Sequence, residues 1–250
     1  MTDSVKQAGL DYFGRGHWLN PIQERLSLRA RRRMFDFWLE FRGGTAGSRL
    51  LDVGATPDCE RLDSNCMIPW FLDAQMQVSL YSPEPLDGLK NVFPTVDILP
   101  PNEAPEEAIR SVRIPAGTGT FDWVSSSAVL EHVGNRSSQL EFIRECGRIG
   151  GAIFLTTPNR FHWLEFHTKL PLIHWLPKSL HRWVLSLIGK PFWAQEINLN
   201  LVSGGELRTL AREALGPGFQ VKVNRVWSLG MPSNLVLLAR RRGESGMGPT

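Results

Sequence analysis

The chain is poor in the features that mark several protein classes. It has only three cysteines, Cys59, Cys66 and Cys146. That odd number, without metal-ligand spacing, argues against both a disulfide framework and a zinc site. No run of about eighteen apolar residues occurs, so a membrane-spanning helix is not expected. Residues 1–20 carry Asp3, Lys6, Asp11, Arg15 and three glycines where a secretory leader would need an apolar centre. A formal charge of +3 over 250 residues is too small to imply a nucleic-acid partner. These absences point to a cytoplasmic protein with free thiols. Tyrosine is also scarce, two against nine Trp and thirteen Phe, so the aromatic inventory is skewed toward large apolar rings. With 42% hydrophobic and 21% charged residues the chain has enough apolar surface to fold, and its length suits one domain with an insertion.

Periodicity predicts a first helix. Asn20 suits the N-cap, Pro21 the first turn and Gln23 a capping box. Ile22, Leu26, Ala30, Met34, Phe37, Trp38 and Phe41 form an apolar stripe, ended by Gly43–Gly44. Arg29, Arg31, Arg32 and Arg33 fall mostly on the other faces, as a solvated surface or a contact for anionic lipid or phosphate. The run 49–54 then reads as a buried strand, 76–81 as a second, 121–126 and 152–157 as two more. Residues 94–120 read mostly as loop, with a short helix near 106–110. A helix spans 137–148, and a capping box at Ser203–Glu206 opens another at 207–215. Segments 220–227 and 234–239 are too close for a crossover helix, so they form an antiparallel hairpin at the sheet edge. The residues from Arg240 to Thr250 are expected to fray.

Alternating strands and helices predict a parallel α/β sheet. One stretch breaks the alternation. Residues 161–193 hold four of the nine Trp and four of the six His, cut by Pro171, Pro177 and Pro191 into short helical pieces. This is read as an insertion lying over one end of the sheet. The expected organisation is a helical segment 1–44, a main domain 45–240 containing the 161–193 lid, and a tail 241–250.

Open α/β sheets bind ligands at the carboxyl ends of their strands. Three segments occupy such places: 52–58, 126–133 and 156–167. Leu50-Leu-Asp-Val-Gly54, Phe121-Asp-Trp-Val-Ser-Ser-Ser-Ala-Val-Leu-Glu-His-Val133, the following helix, Gly150–Gly151 and Leu155-Thr-Thr-Pro-Asn159 together resemble the class I S-adenosylmethionine-dependent methyltransferases. The nearest subgroup is the small-molecule, type 11-like enzymes with an L-E-H-V element after strand four. The resemblance covers about residues 48–160 and the final hairpin. It implies a Rossmann-like, seven-stranded, mostly parallel sheet and methyl transfer from S-adenosylmethionine to a small-molecule acceptor, such as a hydroxyl of a glycan, glycolipid or secondary metabolite.

By resemblance, Asp52, Gly54 and Ala55 belong to the loop around the cofactor's methionine part, and Ser127 and Ala128 line it from strand four. Glycine at position 54 lets the backbone approach a ligand. Ala55, Thr56, Pro57 and Asp58 stand where the family often has further glycines. The family's acidic residue at the end of strand two is missing; Glu84 is the nearby substitute for the ribose contact. Asp97 matches the adenine-side position. The missing glycines and carboxylate also fit a second reading, a non-catalytic binding or assembly protein that kept the fold.

His132 is the candidate general base, because its pKa lies near neutrality. Glu131, Asn159, Arg160, His162 and His167, with Glu165 between them, are candidates to orient the acceptor. His167, His174 and His181 share a seven-residue spacing, but prolines interrupt it and no HExxH pair exists, so no metal site is expected. The 161–193 aromatics have two readings, the core of a helical lid or an interfacial surface flanked by Lys169, Lys178, Arg182 and Lys190. The second would place the protein peripherally at the inner membrane face and make the acceptor lipid-linked.

Overall fold

The computed structural model describes residues 20–43, 46–59, 61, 63–100 and 113–243. The short helix expected near 106–110 lies outside them.

The sheet is built from strands whose residues are apolar toward both faces, as expected when helices cover both sides. β1 (Arg49–Val53) pairs in parallel with β2 (Gln77–Tyr81) and β4 (Phe121–Ser127); β3 (Asp97–Ile98) pairs with β2, and β5 (Gly150–Pro158) with β4. β7 (Met231–Arg241) runs antiparallel to both β5 and β6 (Phe219–Ser228). The order is β3-β2-β1-β4-β5-β7-β6, with β7 alone reversed. The hairpin turns at Leu229–Gly230, both with positive φ, a two-residue turn tighter than the sequence reading placed it. β3 is a two-residue strand inside the stretch read as loop.

Besides α3 (Asp87–Val92), α5 (Lys178–Leu187) and α6 (Pro191–Ala194), four helices matter for the site. α1 (Asn20–Arg42) and α2 (Met67–Asp73) cover one face, where Trp38, Phe35 and Phe71 pack with Leu50, Trp123 and Phe154. The Trp38 ring is fully buried, 5.0 Å from Phe71 and 5.5 Å from Trp123. α4 (Arg136–Ile149) and α7 (Gly204–Leu215) cover the other face, over Leu51, Val53, Val124 and Ile153. Asn135 caps α4 by accepting from the Ser138 amide at 3.0 Å. The helix passes directly into β5 at Gly150, where a Cβ would sit 2.7 Å from Val124 Cγ2. The Ser203–Glu206 capping box of α7 is formed as expected.

Two expectations are corrected. The buried face of α1 is not the anticipated stripe alone: Phe35 is buried while Phe37 and Phe41 are half-buried. Its N-cap side chains lie outside those described. Arg240 and Arg241 do not fray but belong to β7. Arg240 Nη2 donates to the Phe41 and Arg42 carbonyls at 3.0 and 2.9 Å and lies over the Trp123 ring, closing the end of α1. Arg241 donates to Gly147 O at 2.9 Å.

Candidate functional site

The carboxyl ends of β1, β4 and β5 carry a polar cluster within an otherwise apolar sheet. Side chains alternate along a strand, and Leu50 and Trp123 belong to the α1 core. Asp52, Ser125 and Ser127 follow on that same face. Asp52 is register partner to Ser125. Burial pushes the Asp52 carboxyl up to about 6, and the positive charge of the Arg31 guanidinium partly offsets that rise. Arg31 comes from α1, its Nη1 donating to Ser127 Oγ at 2.7 Å. Thr156 on β5 donates to the same Oγ at 3.0 Å. A carboxylate and a guanidinium thus lie on the same face of the sheet at its strand ends, without forming an ion pair with each other.

Gly54 follows β1 with φ +92°, and a Cβ there would collide with Val129 Cγ2. Its amide donates to Tyr81 O at 2.8 Å. Ala55 is buried behind it. The following turn lacks glycine and is fastened by side chains instead. Asn65 Oδ1 accepts from the Thr56 amide at 3.0 Å, and its Nδ2 donates to the Thr56 and Asp58 carbonyls. Ala128 sits at φ +58° after β4 and donates its amide to Thr156 O at 2.9 Å. A non-glycine residue there is a local strain beside the site.

On the other side of the β4 turn lies a second cluster. His132 Nδ1 is 2.7 Å from the Asn198 carbonyl, which only accepts, so Nδ1 carries the proton and Nε2 is the basic nitrogen. Burial lowers the His132 pKa, Glu131 opposes that shift and His167 adds to it. His132 is therefore neutral at neutral pH. His167 Nδ1 lies 2.7 Å from Glu165 Oε1, and Glu165 also accepts from the His167 and Thr168 amides at 3.0 and 2.5 Å. Burial alone would raise the Glu165 carboxyl, but His167 and those amides hold it down to about 2. Burial alone would lower His167, but Glu165 outweighs it and raises the imidazole. The two imidazoles meet edge to face, centroids 4.9 Å apart, with Trp193 5.2 Å from His167.

The turn carrying Glu131 and His132 is locked from behind. Gln139 of α4 donates to the Leu130 and Asn200 carbonyls at 3.1 and 2.8 Å. The Asn200 amide donates to Glu131 O, and its side chain bridges Gly134 O and Lys178 Nζ at 2.8 Å each. Glu131 is fully buried; its Oε2 accepts from Thr157 Oγ1 at 2.9 Å.

Among the sequence candidates, the strand ends bring Asp52, Gly54, Ala55, Ser127 and Ala128 together, and separately Glu131, His132 and His167. The others lie elsewhere. Glu84 is exposed after β2, its amide donating to Ser82 Oγ. The Asp97 side chain is 86% exposed and lies 3.9 Å from Lys90 Nζ. Asn159 is committed to Pro232 O and the Phe161 amide. His162 donates to Leu164 O and stacks on Phe166. Arg160 donates to the His174 and Leu176 carbonyls, bracing the insertion, and lines a small basic cavity with Lys178, His181 and Arg182. The heptad histidines do not converge: His174 and His181 pair 6.4 Å apart, whereas His167 joins His132. Arg31 was missed as a site residue. The available signal is its spacing, four residues before Phe35 and seven before Trp38, on the buried line of α1.

Comparisons with solved structures bear on the fold. Over 91% of this chain and 89% of its own, the Synechocystis magnesium protoporphyrin IX methyltransferase with bound S-adenosylhomocysteine superposes with TM-score 0.54 at 13% identity. A Burkholderia thailandensis 1,6-didemethyltoxoflavin N1-methyltransferase, with its substrate and S-adenosylhomocysteine, gives 0.53 at 14% identity over 88% and 80%. An Aquifex aeolicus S-adenosylmethionine-dependent methyltransferase gives 0.53 at 14% over 86% and 92%. No family model and no curated protein sequence matches the chain. The fold is that of the class I S-adenosylmethionine-dependent methyltransferases, as the sequence resemblance implied.

Proposed function

We propose that the protein transfers a methyl group from S-adenosylmethionine to an oxygen of a small-molecule acceptor, a hydroxyl of a glycan, glycolipid or secondary metabolite. The observation that carries this reading is a pair of opposite charges at the ends of β1 and β4, the buried Asp52 carboxyl and the half-buried Arg31 guanidinium, which suit the two ends of one amino-acid zwitterion. Asp52 would face its ammonium group and Arg31 its carboxylate; the Gly54 and Ala128 amides are committed to Tyr81 O and Thr156 O, and Val129 packs against Gly54. The ribose side fits less well, because no carboxylate ends β2 and the Ser82 hydroxyl is buried there instead. When bound, S-adenosylmethionine supplies a methyl group on a sulfonium, whose displacement leaves a neutral thioether. The chain's own task is then to align the acceptor and receive its proton. Neutral His132 takes that proton at Nε2, while its Nδ1–H bond to Asn198 O steadies the imidazolium formed.

Calorimetric titration with S-adenosylhomocysteine tests the reading. Between about pH 7 and 8 the affinity is expected to be constant, with the Asp52 carboxylate and the ligand's ammonium group both charged. Below about pH 6 it falls roughly tenfold per unit, as Asp52 takes up a proton and loses its charge. A flat profile from pH 5 to 7 removes Asp52 from the site. Absence of binding at millimolar ligand, with no rise in Tm, favours a non-catalytic binding or assembly protein.

One observation favours a lipid-linked acceptor. α5 (Lys178–Leu187) buries Leu185 and His181 inward, while Leu180, Trp183 and Leu187 form an outward apolar line, Trp183 59% and Leu187 65% exposed. Lys178 and Arg182 are engaged by Asn200 and Glu196, so the support comes from the exposed aromatic and aliphatic line itself, the apolar face of a helix lying on a bilayer. Among the described residues no helix is long and apolar enough to cross a membrane. Co-sedimentation with anionic vesicles is expected for the full chain and at least tenfold weaker for Trp183→Ser/Leu187→Ser. Equal partition of both would remove the lipid surface.

A further inference from the structure

We propose that Glu131, His132 and His167 bind a divalent first-row transition cation of the Zn²⁺, Fe²⁺, Co²⁺ or Mn²⁺ kind at the carboxyl end of β4. Each residue offers one ligand atom, and the three atoms all lie within 4.8 Å of one another. Glu131 and His132 come from the turn after β4, His167 from the insertion. No local sequence spacing could therefore reveal the set. Bonds of about 2.0–2.2 Å to one ion place neighbouring donors roughly 3.4 Å apart. Glu131 Oε1 and His132 Nε2 are already 4.0 Å apart. Ring rotation and a carboxylate shift of about an ångström would close the set around an ion.

Two further features point to a cation. Glu131 Oε1 is fully buried and has no hydrogen-bond partner, although Oε2 of the same carboxylate has Thr157. Stranding half of a carboxylate in this way costs free energy that a bound cation would recover. Both histidines, moreover, are held by their Nδ1 atoms: His132 on the Asn198 carbonyl and His167 on the Glu165 carboxylate. That is the outer arrangement of metal-ligating imidazoles, which fixes the tautomer and presents Nε2 to the ion. Glu165 acts here as a positioning residue. Two nitrogens and one oxygen select transition cations over Mg²⁺ and Ca²⁺, which prefer all-oxygen sets. Three protein ligands leave a coordination position for an exogenous oxygen.

The ion's role rests on the proposed methyl transfer, but its binding does not. An acceptor hydroxyl coordinated there would lose its proton to water near neutral pH, its O–H electron pair staying on the oxygen held by the ion. In the metal-loaded protein His132 Nε2 then holds the cation, and the Lewis acid replaces it as the means of deprotonation.

The test uses the untagged full chain, stripped with chelator, without cofactor. Zn²⁺ and Co²⁺ are expected to bind with one-to-one stoichiometry and micromolar or tighter affinity, and Mg²⁺ not at all. Glu131→Gln and His167→Gln are expected to weaken Zn²⁺ at least 100-fold, and Glu165→Gln by about 10–100-fold. Thermal melts check that each variant is folded. A second readout needs no variant: Co²⁺ in the wild-type chain should produce two paramagnetically shifted, exchangeable imidazole N–H resonances. No one-to-one Zn²⁺ binding, unchanged affinity in folded Glu131→Gln and His167→Gln, or Co²⁺ binding without those resonances would each overturn the proposal. Zn²⁺ binding without S-adenosylhomocysteine binding would instead sink the methyl-transfer reading and leave the metal site standing.

Discussion

Exchanging Glu165 for Gln is expected to destabilise the chain by about 3–5 kcal/mol, the usual cost of removing one partner of a buried charge pair. The amide would keep one acceptor for His167, but its NH2 group would face the Thr168 amide, two donors against each other. The pH dependence gives the prediction a signature. The Glu165 carboxyl is held well below its ordinary value, so its contribution is complete above about pH 4.5 and is lost as pH falls toward 2. His167 is raised above 6.5, so its contribution is complete below that value and is lost as pH rises through the folded pKa. The difference between wild type and variant should therefore be largest between about pH 4.5 and 6.5 and shrink on either side. Urea unfolding at a series of pH values measures it. A difference that stays the same from pH 3 to 9 would mean that the pair carries no charge.

The second large effect is at His132. Its replacement by Ala is expected to lower kcat by about 10²–10⁴-fold, the usual contribution of a positioned general base. S-Adenosylhomocysteine affinity should change little, because Asp52 and Arg31 lie on the other side of the β4 turn. In the wild type, activity rises with pH as His132 loses its proton, with a midpoint below 6.5 because burial lowers its pKa. The variant should lose that limb of the profile while the pH dependence of cofactor binding set by Asp52 persists. A variant with wild-type turnover would exclude His132 from the chemistry.

Much of this architecture was legible in the linear chain, for reasons that differ between elements. The runs at Leu50–Val53, Trp123–Val124 and Ile153–Leu155 are apolar on both faces because helices cover both sides of the sheet, and such runs declare themselves. The Ser203–Glu206 box is local chemistry, complete within four residues. α2 escaped because Pro69 and a seven-residue length hide its period, and β3 because two residues have none. At the site, Asp52, Gly54 and His132 stand on strand ends that the sequence marks. Asn159, Arg160 and His162 lie at a strand end too, yet each is taken up by backbone groups of neighbouring segments, a commitment visible only after folding. Arg31 was hidden by its charge, since a reading that sends arginine to solvent discards the line it shares with Trp38. The aromatic surplus proves to be divided. Trp38 and Trp123 build the core beneath α1, while Trp183 lies at the surface of the insertion.

The position of α1 along the chain has a kinetic consequence. The helix that brings Arg31 to the strand ends precedes the whole sheet in sequence, yet its end is closed by Arg240, 198 and 199 residues further on. Its core partners include Val236 and Leu238 of a strand near the other end. Contacts of such separation form late and slow the search for the native state. During synthesis the helix emerges before the sheet and must wait, its Trp38 unsheltered, until the ribosome has passed residue 240. The Arg31 contact at the strand ends is thus one of the last features the nascent chain can complete.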